Sequence, residues 1–288
     1  MYYKERNIGL DLLRIFACLL VVMYHVPMLI DAPLVFNDIS SRALNSLMFY
    51  FGRTAVPIFF ILSGYFILPL RYGTTEFFKK RISRVLFPTA FWFIVYYLFG
   101  KSWYNPNVTL WTEKAPHLWY MYALLGIYLI APIISQWYKM VSIKEKLFYI
   151  TLWGISLLLV LSKSPISLEF NHQGLLYSTP YHALLYVAGY IGYFVLGAII
   201  KEKSAWILNH AKQIFSFCVI TYVVLVLICH FVLDLSDSNT IAYLSLPTSL
   251  LSMSIFVLFL LIDNVIFKTK NMTKDCCKIF LGGGKRIG

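Results

Sequence analysis

Arg14 and His25 stand eleven positions apart in an apolar stretch that begins at Ile8. At about 100° per residue the two side chains leave a helix within about 20° of each other, and Asp11 falls within about 60° of Arg14. A charged group within a hydrophobic helix costs roughly 2.5–3.5 kcal/mol on insertion scales, so it needs a partner, a water-filled cavity or a chemical task. Histidine titrates near neutrality and can take or give a proton. Arginine keeps its charge and can hold an anion. At about 1.5 Å per residue His25 lies about 16 Å along the axis from Arg14. Asp11 and Arg14 at i, i+3 also describe an ion pair at a helix end, with the arginine reaching the headgroups. A histidine aligned with that stripe at membrane depth favours a functional role over packing.

A second apolar run carries Arg53, Pro57, Ser63 and Gly64. If it returns through the membrane, Arg53 sits at the depth of His25 and Ser63-Gly64 lies toward the opposite side. Pro57 is expected to loosen the helix beside Arg53 and free carbonyls for a polar cavity, whereas serine and glycine alone are ordinary packing residues in membranes. Next comes Lys79-Lys80-Arg81-Ile-Ser-Arg84. A basic loop of this kind is a topology signal that touches anionic lipid, and two arginines at i, i+3 also suit a phosphorylated ligand.

The elements that must position these residues are membrane helices. The 288 residues are 59% hydrophobic and 13% charged, with mean hydropathy +0.71, against about a quarter charged in a soluble domain. Apolar runs cover approximately 8–30, 47–70, 86–100, 118–135, 147–163, 183–200, 213–233 and 244–267, mostly long enough for a ~30 Å hydrocarbon core. The fold class is therefore all-α, a polytopic bundle of about eight transmembrane helices. The first run contains an arginine and no small-residue cleavage site follows, so it is expected to remain as an anchor. The domain expectation is a membrane domain over 1–267 and a short basic tail over 268–288.

Charge placement sets the orientation. With the N-terminus in the cytoplasm, Arg42, Lys101, Lys114 and Lys163 lie outside and Arg14 and Arg53 lie within spans. All the remaining Lys and Arg fall inside, as the positive-inside rule requires. This accounts for the formal net charge of +12 without nucleic acid. The outside segments hold Asp31, Asp38, Glu113, Glu169, Asp234 and Asp237 with Trp103, Tyr104 and Trp111. Such aromatics serve as interfacial anchors more often than as sugar platforms. The five cysteines show neither metal spacing nor a disulfide framework, and no metal is expected.

Taken together the constellation resembles the membrane acyltransferase 3 family. The resemblance rests on Arg14 and His25 as its Arg-x10-His, on Phe59-Phe60-Ile-Leu-Ser63-Gly64 as its Phe-Phe-x-x-Ser-Gly, and on Arg81-Ile-Ser-Arg84 as its Arg-x-x-Arg. His117-Leu-Trp119 looks like the His-Leu-Trp that opens a later helix of that family. It implies a bundle of about ten helices in a bacterial cytoplasmic membrane. The implied activity moves an acyl group, usually acetyl from cytoplasmic acetyl-CoA, to hydroxyls of extracytoplasmic glycans or lipid-linked precursors. By motif, His25 is then the catalytic histidine and Arg14, Arg81 and Arg84 are donor-side residues, with Ser63 and Gly64 in the pocket. Asp11, Arg53, His117 and Trp119 join the candidate substrate-binding set, Arg53 on depth alone.

Histidine suits the base that takes the acceptor's proton, and a buried arginine or backbone dipole suits the oxyanion at the acyl carbonyl. Eight runs rather than about ten, and a tail ending Lys274-Asp-Cys-Cys-Lys-Ile-Phe-Leu-Gly-Gly-Gly-Lys-Arg-Ile-Gly288, fit a shortened member or a changed reading frame. The competing reading is a transporter of polysaccharide or a small solute, for which inverted repeats and paired broken helices are the expected signature.

Overall fold

A computed structural model describes residues 7–29, 48–99, 118–159, 169–170, 176–177, 189–232 and 242–282. Among them are nine helices: α1 Ile8–Leu29, α2 Ala55–Ile67, α3 Thr74–Phe99, α4 Trp119–Met140, α5 Ile143–Leu159, α6 Ile191–Glu202, α7 Ser204–Asn209, α8 Ala211–Phe231 and α9 Leu246–Gly282. A two-residue antiparallel pair, β1 Glu169–Phe170 with β2 Leu176–Tyr177, lies between α5 and α6. The protein is an all-α, polytopic bundle. Five of the described helical segments are long and apolar enough to cross a membrane: Ile8–His25, Met48–Ile67, Trp119–Met140, Ala211–Phe231 and Leu246–Ile266. They match the first, second, fourth, seventh and eighth apolar runs.

The third run shows a boundary correction. Residues 86–100 end a helix that starts at Thr74, so Lys79–Arg84 is helical and not a loop. No glycine or proline interrupts 74–87, and Lys80 donates to Glu76 at 2.5 Å one turn back, a pair that supports a helix. Hydropathy alone starts the element late because its first turns are charged. At the other end of the chain α9 continues through the basic segment and stops at Gly282, where a run of glycines makes further helix unfavourable by about 1 kcal/mol per residue.

By contacts the chain divides into two units: residues 1–59, 203–234 and 247–288 in one, and residues 60–202 and 235–246 in the other. In the first unit α1 buries Leu10, Leu13, Ala17, Leu20 and Tyr24, an i, i+3, i+7 stripe of one helix face. α9 runs antiparallel along α1, with Phe259 against Phe16 at 5.4 Å between ring centroids and Asp263 beside Gly9. A Cβ on Gly9 would stand 2.5 Å from the Phe259 carbonyl oxygen, so glycine is what lets the two backbones meet there.

In the second unit α6 is the most enclosed element, with every residue from Gly192 to Ile200 buried. Gly64 of α2 and Gly197 of α6 face each other. A Cβ on Gly64 would overlap the Phe194 carbonyl oxygen, and one on Gly197 would overlap the Ile61 carbonyl oxygen. Trp153 of α5 donates its indole N–H to the Gly189 carbonyl at 2.9 Å, where Gly189 takes φ 123°, a left-handed conformation that favours glycine. Phe77 of α3 packs on Tyr128 of α4 at 6.0 Å, and the backbone N–H of Leu70 donates to the Ser135 hydroxyl at 2.9 Å.

Candidate functional site

The polar stripe of α1 borders its buried face. Asp11 accepts an ion-paired hydrogen bond from Arg14, three residues on, and the Arg14 side chain is 44% exposed. The helix-end pair weighed against a donor role is thus present in the geometry, on the side that charge placement assigns to the cytoplasm.

His25 is half-buried, and its Nδ1 lies 2.8 Å from the Val21 carbonyl oxygen. A carbonyl can only accept, so Nδ1 carries the hydrogen in that bond. The neutral ring then presents the lone pair of Nε2, the state in which imidazole takes a proton. The adjacent Tyr24 ring meets the imidazole edge-on at 5.2 Å and stacks on Phe49 at 5.5 Å. Arg53 places its guanidinium carbon 4.9 Å from the Tyr24 centroid and 5.1 Å from that of Phe49. Such contacts contribute roughly 0.5–2 kcal/mol, more when shielded from water. Arg53 and His25 therefore both contact the Tyr24 ring.

The chain around Arg53 explains its position. A helical turn over 48–52 ends at Arg53 and Thr54, where the Thr54 hydroxyl donates to the Phe51 carbonyl at 2.6 Å. α2 then starts at Ala55. Pro57 is the third residue of that helix, where its missing N–H leaves no bond unmade, because the first four N–H groups have no intrahelical acceptor. The irregularity expected at Pro57 thus falls at Arg53–Thr54. A Cβ on Gly52 would stand 2.6 Å from the Tyr24 Cβ, so glycine admits the ring.

The sequence reading missed several neighbours. Thr54 is fully buried, and Thr248, Ser249, Ser252 and Ser254 of α9 are buried too. The Ser252 hydroxyl donates to the Thr248 carbonyl at 2.6 Å and reaches the Thr54 carbonyl at 3.5 Å. Asp263 accepts from the Gly9 backbone N–H at 2.8 Å, satisfying a first-turn donor that has no intrahelical acceptor, where the α1 dipole favours negative charge. The hydroxyls spaced i, i+4 and the lone acid inside the last run were the available signals.

The other candidates belong to the second unit. Ser63 is half-buried on α2 and Gly64 is the close-approach residue already described. Arg81 is half-buried and Arg84 exposed on α3. On the same helix the hydrogen bond that Lys80 donates to the Glu76 carboxylate holds its ammonium above the ordinary lysine range. Trp119 opens α4, its ring 5.7 Å from Tyr190 and 5.0 Å from Tyr243. His117 lies outside the described residues. Of the cysteines within spans, Cys218 and Cys229 are buried as small hydrophobes, whereas Cys18 is exposed on the α1 surface.

A helical bundle with a half-buried histidine on an apolar span defines the class as a polytopic membrane protein. A family model described as acyltransferase domain matches residues 7–282. The chain therefore belongs to the acyltransferase 3 family and is a membrane acyltransferase. No curated protein and no solved structure matches the chain significantly.

Proposed function

We propose that the protein transfers an acyl group, acetyl foremost, from cytoplasmic acyl-CoA to a hydroxyl of an extracytoplasmic polysaccharide or lipid-linked glycan in a bacterial cytoplasmic membrane. The observation that supports this reading is the contact of His25 Nδ1 with the Val21 carbonyl, since a neutral ring that donates there keeps Nε2 as its basic nitrogen. In the reaction the acceptor oxygen attacks the thioester carbonyl carbon while its proton passes to His25 Nε2. The tetrahedral intermediate collapses, the carbon–sulfur bond breaks, and the departing thiolate takes that proton from the imidazolium. The ester and free CoA thiol are the products, and His25 returns to its neutral form.

Arg53, which shares the Tyr24 ring with His25 as a neighbour, is the cation suited to the oxyanion. Arg14, Arg81 and Arg84 are the donor-side cations by motif and by topology, with Asp11 orienting Arg14. Ser63-Gly64, His117 and Trp119 complete the substrate-binding set. Because His25 stands about 16 Å above Arg14 along α1, an extended thioester arm has to cover that interval from the inner face.

The test is transfer from labelled acetyl-CoA to envelope glycan by the purified protein in lipid nanodiscs. Labelled glycan supports the reading; solute flux without label transfer would replace it with a transporter. Mass spectrometry of glycans from cells with and without the gene then identifies the acceptor by the mass of the group added.

A further inference from the structure

A cavity of about 440 Å³ opens where Pro69, Tyr138, Lys139, Lys146, Ala198, Lys201 and Glu202 converge. It lies at the ends of α4 and α6 and the start of α5, which charge placement puts on the cytoplasmic side. Three lysines and one glutamate line it. One carboxylate oxygen of Glu202 accepts from Lys146 at 2.9 Å and from the Tyr138 hydroxyl at 2.6 Å. Lys146 is only 7% exposed and its ammonium sits 3.9 Å from the Tyr138 ring centroid. The single acid thus holds both the buried lysine and the phenol. Lys201 adds a second ammonium, bonded at 3.2 Å to the Leu68 carbonyl just past the end of α2, and Lys139 stands exposed beside Tyr138.

The lining consequently carries two more positive charges than negative ones, in a concavity whose remaining walls are Pro69, Ala198 and the Tyr138 ring. Like charges gathered beside low-dielectric walls concentrate anions, and ammonium groups bind phosphate as point charges without the planar fork of arginine. The apolar walls suit a phosphate that bears an organic group more than the bare ion. None of these residues belongs to the motifs of the proposed reaction.

We infer that this cavity binds a phosphoester, with Lys139 and Lys201 on the phosphate and the Lys146–Glu202–Tyr138 cluster as its fixed wall. Two sources offer that chemistry, a soluble nucleotide phosphate and the headgroup of an anionic lipid. The full chain in phosphatidylcholine nanodiscs is titrated with ADP by calorimetry. In parallel, native mass spectrometry measures retention of phosphatidylglycerol from mixed nanodiscs. Saturable ADP binding that weakens about tenfold in Lys139→Gln identifies a nucleotide phosphate. Retained phosphatidylglycerol, lost in Lys139→Gln and Lys201→Gln without an ADP response, identifies the lipid. If neither ligand binds, or if both bind Lys139→Gln as they bind the parent, the cavity is no phosphate site. Lys139 is exposed, so its substitution leaves the fold intact, and a matching melting temperature verifies this.

Discussion

The guanidinium carbon of Arg53 stands 4.9 Å from the centre of the Tyr24 ring, and the His25 imidazole meets that same ring edge-on at 5.2 Å. One aromatic side chain thereby contacts a guanidinium and an imidazole contributed by different segments. Phe49 packs on Tyr24 and also contacts the cation, so the arginine is held by two rings rather than by one flexible contact.

If Arg53 stabilises the oxyanion, Arg53→Leu should lower kcat about a hundredfold, the scale for removing one oxyanion donor. Arg53→Lys keeps the charge but loses the planar contact with two rings and should fall between the parent and Arg53→Leu. Steady-state kinetics with acetyl-CoA in nanodiscs measure both. Full activity in Arg53→Leu would leave this residue a purely structural role.

His25→Ala should reduce transfer by at least about a hundredfold, as expected for loss of a general base, with membrane insertion and melting temperature unchanged. His25→Gln keeps a side-chain donor that can reach the Val21 carbonyl, but it offers no basic nitrogen. It should be as inactive as His25→Ala. Activity in His25→Gln comparable to the parent would exclude proton transfer as the histidine's task.

How much of this was legible from residues alone depends on which physical signal each feature leaves. The expectation that Arg53 stands level with His25 came from depth, since two antiparallel spans of known rise bring particular residues level, and the two residues share the Tyr24 ring. Tyr24, which mediates the match, left no trace because an aromatic residue in an apolar run is unremarkable. The start of α3 at Thr74 was hidden by the charges at 79–84, which interrupt hydropathy without interrupting helix. Asp263 was legible as an acid inside the last run, but its partner is a backbone N–H at Gly9, 254 positions away in sequence, and backbone groups carry no sequence signature. Gly64 was assigned by motif; its pairing with Gly197 appears only when α2 and α6 are packed.

That pairing predicts a structural failure in place of a kinetic one. Gly64→Ala puts a methyl into the Phe194 carbonyl and Gly197→Ala puts one into that of Ile61, so the backbones must separate. Each should destabilise the protein by about 3 kcal/mol, the upper range for overpacking. Size-exclusion profiles and melting temperatures of both variants measure this. Ser63→Ala, at a half-buried neighbouring position, should leave them near the parent. Stable, inactive Gly64→Ala would instead place that glycine against substrate.

Glu202 and Lys146 provide a separable test of the cavity wall. Lys146 is buried and Glu202 is more exposed, so Glu202→Gln leaves a shielded ammonium without its carboxylate and should destabilise by roughly 2 kcal/mol, discounted from the fully buried case. Lys146→Met removes the ammonium and keeps the packing over the Tyr138 ring, leaving a carboxylate that water can reach, and should be the milder change. The double variant should recover most of the stability lost in Glu202→Gln, because the uncompensated charge is gone. Thermal melts of the four proteins at one lipid composition give the coupling directly. Strict additivity would mean that the 2.9 Å contact contributes nothing, and that Lys146 is held by its stem and the aromatic ring alone.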